Sequence, residues 1–164
     1  MGDVRTDALD ELAARLGWET RDLADVIGAG WRRSEATPDH DFDLDPSGGL
    51  DPDDLLPLDV TPWHVAGDPA QLMARVFAHG VFLASPEGVW AGGTHGLEHR
   101  PGPPVYVPAH ELSDRGPEVV RGIVAGRRRS FRWCRYCRSP QAPETRWEPD
   151  VCHGCASSWL GVVY

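Results

Sequence analysis

Apolar residues first recur at helical spacing near the start of the chain. Leu9, Leu12, Ala13 and Leu16 run up to Gly17, and Leu23, Val26 and Ile27 run up to Gly28. Glycine readily takes the left-handed conformation that closes a helix, so the pattern predicts two short helices. Between residues 30 and 62 the periodicity dissolves into Asp, Pro and Gly, which predicts a long acidic loop. Order returns at Asp68-Pro69, an N-cap followed by proline. The stretch 70–79 then places Leu72, Met73, Val76 and Phe77 on one helical face before Gly80. Residues 81–85 and 89–91 around Pro86-Glu87-Gly88 read as a β-hairpin, and 105–107 as a further strand. Val119, Val120, Ile123 and Val124 predict a short helix over 117–125, and the apolar tail 159–164 a closing strand.

The four cysteines change this picture because all of them fall in the last quarter, as Cys134-x-x-Cys137 and Cys152-x-x-Cys155 with fourteen residues between the pairs. A two-residue spacer lets both thiolates of a pair face one ion, and the intervening length suits a hairpin. Four sulfurs so arranged are the ligand set of a closed, structural Zn²⁺ site with no open coordination position. Two disulfides or a redox dithiol compete with this. However, residues 1–7 contain no apolar segment that would route the chain to an oxidising compartment, and the cysteines come as matched pairs. The expectation is one structural zinc in a cytoplasmic protein. The fold class follows as α+β: a helical hairpin over 1–36, an acidic linker over 37–62, a small mixed α/β central domain over 63–126 and a zinc ribbon over 127–164. The ribbon resembles that of the NADH pyrophosphatases of the Nudix superfamily on Phe131, Cys134, Tyr136, Cys137, Trp147, Cys152 and Cys155. No Nudix box is visible in this chain, so the resemblance implies a metal ribbon and not the activity.

Charge is separated along the chain. All sixteen basic residues are arginine and the formal net charge is −9, which opposes non-specific nucleic-acid binding by the protein as a whole. Yet seven arginines and no acid lie between Arg121 and Arg138, whereas Asp39 to Asp59 holds eight aspartates and no basic residue. Arg127, Arg128, Arg129, Arg132, Arg135 and Arg138, interleaved with Phe131, Trp133 and Tyr136, form a basic–aromatic segment suited to phosphates and bases or to an acidic protein surface. The same arginines would also offset the negative charge of a four-thiolate zinc site. Near the N-terminus, Ala13, Gly17, Trp18, Leu23 and Val26 resemble a helix-turn-helix. Glu19, Asp22 and Asp25 stand against Arg21 alone on the recognition helix, so a helical hairpin packed on the core or a partner fits the same text.

Two further patterns carry candidate chemistry. Asp43, Asp45, Ser47, Asp51 and Asp54, with Gly48 at the sixth position, resemble an EF-hand loop that would take Ca²⁺, although Pro46 and Pro52 interrupt it and Asp replaces the usual bidentate Glu. His95, Glu98 and His99 match the H-x-x-E-H pattern of inverted zinc peptidases, in which a helix sets both imidazoles on one metal. Glycines before and prolines after the motif leave no helix to carry it, so a polar loop is expected. His64, His79 and His110 could join these residues in a looser metal or acid–base site of the central domain.

No stretch is long and apolar enough to span a membrane. With a closed metal site, separated charge and no nucleophile elbow or phosphate loop, the sequence points away from an enzyme. It favours a regulatory or interaction protein whose partner is another protein. Transcription-linked nucleic-acid binding and a metal-dependent enzyme with a histidine-rich site are the alternatives.

Overall fold

In a computed structural model of the chain, residues 10, 12–22, 31–33, 62–77, 79–90 and 96–162 are described. The protein mixes helices with antiparallel sheets, an α+β architecture. Five strands form the main sheet: β1 (Trp31–Arg33), β2 (His64–Ala66), β3 (Leu72–Phe77), β4 (Gly80–Ala84) and β7 (Val105–Pro108), in the order β1-β2-β3-β4-β7. A separate hairpin pairs β5 (Pro86–Trp90) with β6 (Leu97–Pro101). Helix α1 (Leu112–Arg129) then crosses the sheet.

The sheet's composition follows from having both faces covered. On one face Ala66, Leu72, Ala74, Val81, Leu83 and Val107 pack against Leu112, Val120 and Val124 of α1 and against Leu12, Ala13 and Leu16. On the other, Val65, Met73, Phe82 and Ala84 enclose Trp63 and Ala70, with Tyr106 beside them. Neighbouring residues thus alternate faces, as strand geometry requires. All five residues of β4 are buried.

This explains a departure from the sequence pattern. Residues 70–79 do not form a helix; 72–77 are a strand held between β2 and β4. A strand buried on both faces is apolar without alternation, and so imitates a short helical stripe. Nor is Pro86-Glu87-Gly88 a turn. It opens β5, which pairs with β6 and leaves β4 to pair with β3 and β7.

Helix α1 is longer than its apolar core suggested, and it runs through the boundary drawn at 126/127. Its buried positions, Leu112, Gly116, Val120, Val124 and Arg127, recur every three to four residues. Gly116 admits the N-terminal segment closely, since a Cβ there would lie 2.4 Å from Leu16 Cδ2. Arg127, Arg128 and Arg129 occupy its last turn, where positive charge complements the helix dipole. Near the N-terminus, residues 12–15 and 20–22 are helical, and Arg121 sits 4.9 Å over the Trp18 ring. Most of the second helix of the expected pair lies outside the described residues, as does the acidic segment 34–61.

Leu83, fully buried in β4 between β3 and β7, is the test of this layering. Leu83→Ala should cost about 2–5 kcal/mol in urea unfolding, the range for a core leucine that leaves a cavity. A loss below about 1 kcal/mol, the scale of a surface change, would contradict a sheet covered on both faces.

Candidate metal centre

After α1 the chain forms a small ribbon. Strand β8 (Arg132–Trp133) pairs with β9 (Pro140–Gln141), β10 (Arg146–Glu148) pairs with β11 (Val151–Cys152), and helix α2 (His153–Leu160) follows directly. The first knuckle is closed by Cys134 N donating to Ser139 O at 3.0 Å and Arg138 N donating to Cys134 O at 3.0 Å. Arg138 takes a positive φ of 57° to turn the chain. In the second knuckle Cys152 is the N-cap of α2, its Sγ accepting from Cys155 N at 3.4 Å. Cys152 N in turn donates to Cys134 Sγ at 3.5 Å, stitching the knuckles together. Because Cys152 starts a helix that ends at the left-handed Gly161, residues 159–160 are helical and not part of a closing strand.

These contacts bring the Sγ atoms of Cys134, Cys137, Cys152 and Cys155 within 4.8 Å of one another, a group that could hold a metal ion. Among the described residues no other His, Cys, Asp or Glu cluster of three or more does so. The thiols are unequal. Burial raises Cys134, but N–H donors from Cys137, Cys152 and Tyr136 outweigh it and bring the thiol down to about 6. Burial and the neighbouring thiols push Cys155 up to about 12, and burial first of all raises Cys152 as well. Gathering four sulfurs this closely without a counter-charge is unfavourable. A cation at their centre would remove the penalty and draw all four to thiolates.

The segment between the knuckles is anchored by one carboxylate. Glu144, in the 3-10 turn Pro143–Thr145, has a side chain 7% exposed. It accepts from Arg127 Nη2, while His99 Nε2 lies 3.4 Å from the same oxygen. Arg127 Nε donates to Ala70 O at 3.0 Å, so one guanidinium ties α1, the main sheet's β2–β3 connection and the ribbon. Burial raises the Glu144 carboxyl, but hydrogen bonds from His99, its own N–H and Arg127, with the Arg127 charge, bring it down to about 2. Gly88, opposite His99 in the β5–β6 pair, leaves the space that this side chain crosses: a Cβ there would fall 2.1 Å from Glu144 Cγ. Trp90 Nε1 donates to Glu144 O at 3.0 Å, and the His153 ring lies between Trp90 and Trp147 at 5.0 and 6.1 Å. Glu144 and His99 also border a cleft of about 540 Å³ with Asp68, Leu97, Gln141 and Thr145.

The expected site residues are dispersed. His99 is buried in β6 against Glu144, whereas Glu98 is half-buried and points to the strand's other face, so 98–99 belong to a strand and not to a polar loop. His95 lies outside the described residues, as do Asp43, Asp45, Ser47, Asp51 and Asp54 of the calcium-like loop. His79 and His110 are exposed, with His110 beside Glu111 at 3.6 Å. Of the arginines expected at a partner surface, Arg127 is buried and committed to Glu144, which takes it out of that set. Arg128, Arg129, Arg132, Arg135 and Arg138 are exposed. Arg128 Nε reaches Gln71 Oε1, and Arg135 lies 3.5 Å from Asp150 and over the Tyr136 ring. Glu144 carried no motif. Its one signal was to be among three acids, with Glu148 and Asp150, in an otherwise arginine-rich segment.

No protein-family model, curated protein or solved structure matches this chain.

The lowered Glu144 carboxyl fixes a pH dependence. Its contribution is complete above the ordinary value of 4.5 and is lost as pH falls from there toward about 2. Between pH 5 and pH 3 the wild type should therefore lose more stability in urea than Glu144→Gln does. At pH 7 that variant should be weaker by about 3–5 kcal/mol, because Arg127 is left buried without its counter-charge. Parallel pH curves for the two proteins would show that the carboxylate is not ionised against Arg127.

Proposed function

We propose that this chain is a zinc-binding interaction or regulatory protein, in which one structural Zn²⁺ holds the ribbon and the ribbon's exterior engages a partner protein. The observation that carries the metal assignment is the all-sulfur cluster. Zinc bound tetrahedrally at about 2.3 Å per sulfur would set the sulfurs about 3.8 Å apart, and Cys137 and Cys152 lie at 3.9 Å. With four thiolates the coordination sphere is full, so the ion is a staple and not a reaction centre. The ribbon's own buried cluster consists of the three buried cysteines, Val151 and Ala156, with Val162 against it, too little apolar surface to hold the knuckles together.

Partner binding is supported by what the ribbon exposes. Trp133 is 67% and Trp159 72% exposed, with Tyr136, Trp147 and Leu160 each at 40–46%. Large aromatics and arginine are the residue types that dominate protein interfaces, and solvent-exposed tryptophan is otherwise costly. Residues 127–164 hold seven arginines against three acids, a balance of +4, while 1–126 hold nine against twenty-two, or −13. A single zinc with four thiolates would bring the ribbon to about +2, leaving it the positive end of an acidic molecule. An acidic protein surface suits this end. The exposed Arg128, Arg129, Arg132, Arg135 and Arg138 beside Trp133 and Tyr136 also favour a second reading, transcription-linked binding of a nucleic acid by the same face.

Native mass spectrometry of the purified chain should show one zinc, and Cys152→Ala should lose both the ion and the ribbon's part of the melting transition. A chain purified without metal, or a variant unchanged in zinc content and melting, would remove the assignment. The nucleic-acid reading requires oligonucleotide binding that weakens steeply with salt and on neutralising Arg128 and Arg129 together. Without such binding the partner is a protein.

A further inference from the structure

The four cysteines differ in access: Cys134, Cys152 and Cys155 are buried, whereas Cys137 is exposed. It stands in an exposed stretch between Arg135, Tyr136 and Arg138, so a solute reaches it without any opening of the ribbon. Its Sγ lies 3.9 Å from Gln141 Nε2 and 3.9 Å from Cys152 Sγ. Closing that gap to a disulfide brings the sulfurs to about 2.05 Å. Cys134 and Cys152, by comparison, are both buried, and each sulfur accepts a backbone N–H, from Cys152 and Cys155 respectively. Thiolates are the oxidisable form of cysteine, and access selects which of several reacts first.

Building on the zinc reading above, we infer that Cys137 is an oxidation site through which hydroperoxides release the bound ion, with Cys152 as the resolving partner. In the first step the Cys137 thiolate attacks one oxygen of hydrogen peroxide. An S–O bond forms, the O–O bond breaks, and hydroxide leaves, giving a sulfenic acid. In the second step the Cys152 thiolate attacks that sulfur, forming the Cys137–Cys152 disulfide and expelling a second hydroxide. Two thiolates are oxidised by two electrons in total, and one peroxide is reduced. The site keeps Cys134 and Cys155 alone as donors, so it no longer holds the ion tightly. Residues 138–151, which carry Glu144, are then closed into a loop by the disulfide, while Cys134 and Cys155 lose the ion that joins them to it.

The arginines make the test direct. Trypsin cuts after Arg132, Arg135, Arg138 and Arg146, which places Cys134 in peptide 133–135, Cys137 in 136–138, and Cys152 with Cys155 in 147–164. Zinc content is read first by native mass spectrometry. The loaded full-length protein is then given one equivalent of hydrogen peroxide, alkylated and digested, with released zinc followed by a chromogenic chelator. The expected result is peptide 136–138 joined to 147–164 through Cys152, one zinc released per disulfide, and recovery of both metal and melting on adding a thiol reductant with zinc. A link between 133–135 and 136–138, a disulfide within 147–164, or zinc retained with all four cysteines unoxidised would overturn the inference while leaving the metal assignment intact. A chain that carries no zinc before peroxide would remove the metal assignment and this inference with it.

Discussion

The buried contact of Arg127 with Glu144 is the constraint on which the relation between the two halves of this protein depends. Arg127 is the last buried position of α1 and Glu144 the central residue between the cysteine pairs, so one ion pair spans the junction of helix and ribbon. Isolated in the interior, either charge would be costly. Together with His99 and the Ala70 carbonyl they form a set whose members satisfy one another. Such a node adds little net stability over an apolar contact of the same size. It does penalise any arrangement in which the ribbon docks elsewhere, because both charges would then be buried alone.

The node also accounts for features that otherwise look local. Gly88 lacks a side chain where Glu144 crosses β5, and Trp90, two residues further along the same strand, holds the Glu144 carbonyl. The β5–β6 hairpin, which is not part of the main sheet, is therefore a bracket between the sheet and the ribbon. The sheet itself is a rigid support, buried on both faces, with its core far from the cysteines in sequence. Above it the ribbon has few apolar contacts of its own and leaves its tryptophans in water. Regions that combine a thin core with exposed aromatic surface tend to be the ones that open or bind. The cysteine cluster and the ion pair thus hold the same fourteen-residue segment, one at its ends and the other at its middle.

Much of this was legible in the sequence where the physics is local. Two C-x-x-C pairs come together because a short spacer constrains both sulfurs of a pair, and the structure assembles all four. Val120 and Val124 mark the buried stripe of α1 because helical periodicity is a property of a single segment. Strand β7 at Val105–Pro108 reads as β from its branched and aromatic residues. Local patterns failed where the environment of a strand set its composition. Leu72, Met73 and Val76 imitate a helical face because β3 is buried on two sides, and Pro86-Glu87-Gly88 imitates a turn because Gly88 must make room for a side chain 56 residues away.

The tertiary structure alone separated residues that the sequence had grouped and joined residues that it had kept apart. Arg127 and Arg128 are neighbours in one basic run, yet one is buried against Glu144 and the other lies at the surface. Glu98 and His99 stand side by side in one motif, yet a strand sends them to opposite faces and gives His99 to a carboxylate 45 residues further on. The sequence by itself determined the four-cysteine cluster and the chain's charge asymmetry, because both follow from residue type and short spacing. Which charges are paired, which tryptophans face water and which cysteine solvent can reach were decided by packing between distant segments, where burial and complementarity have no counterpart in sequence order.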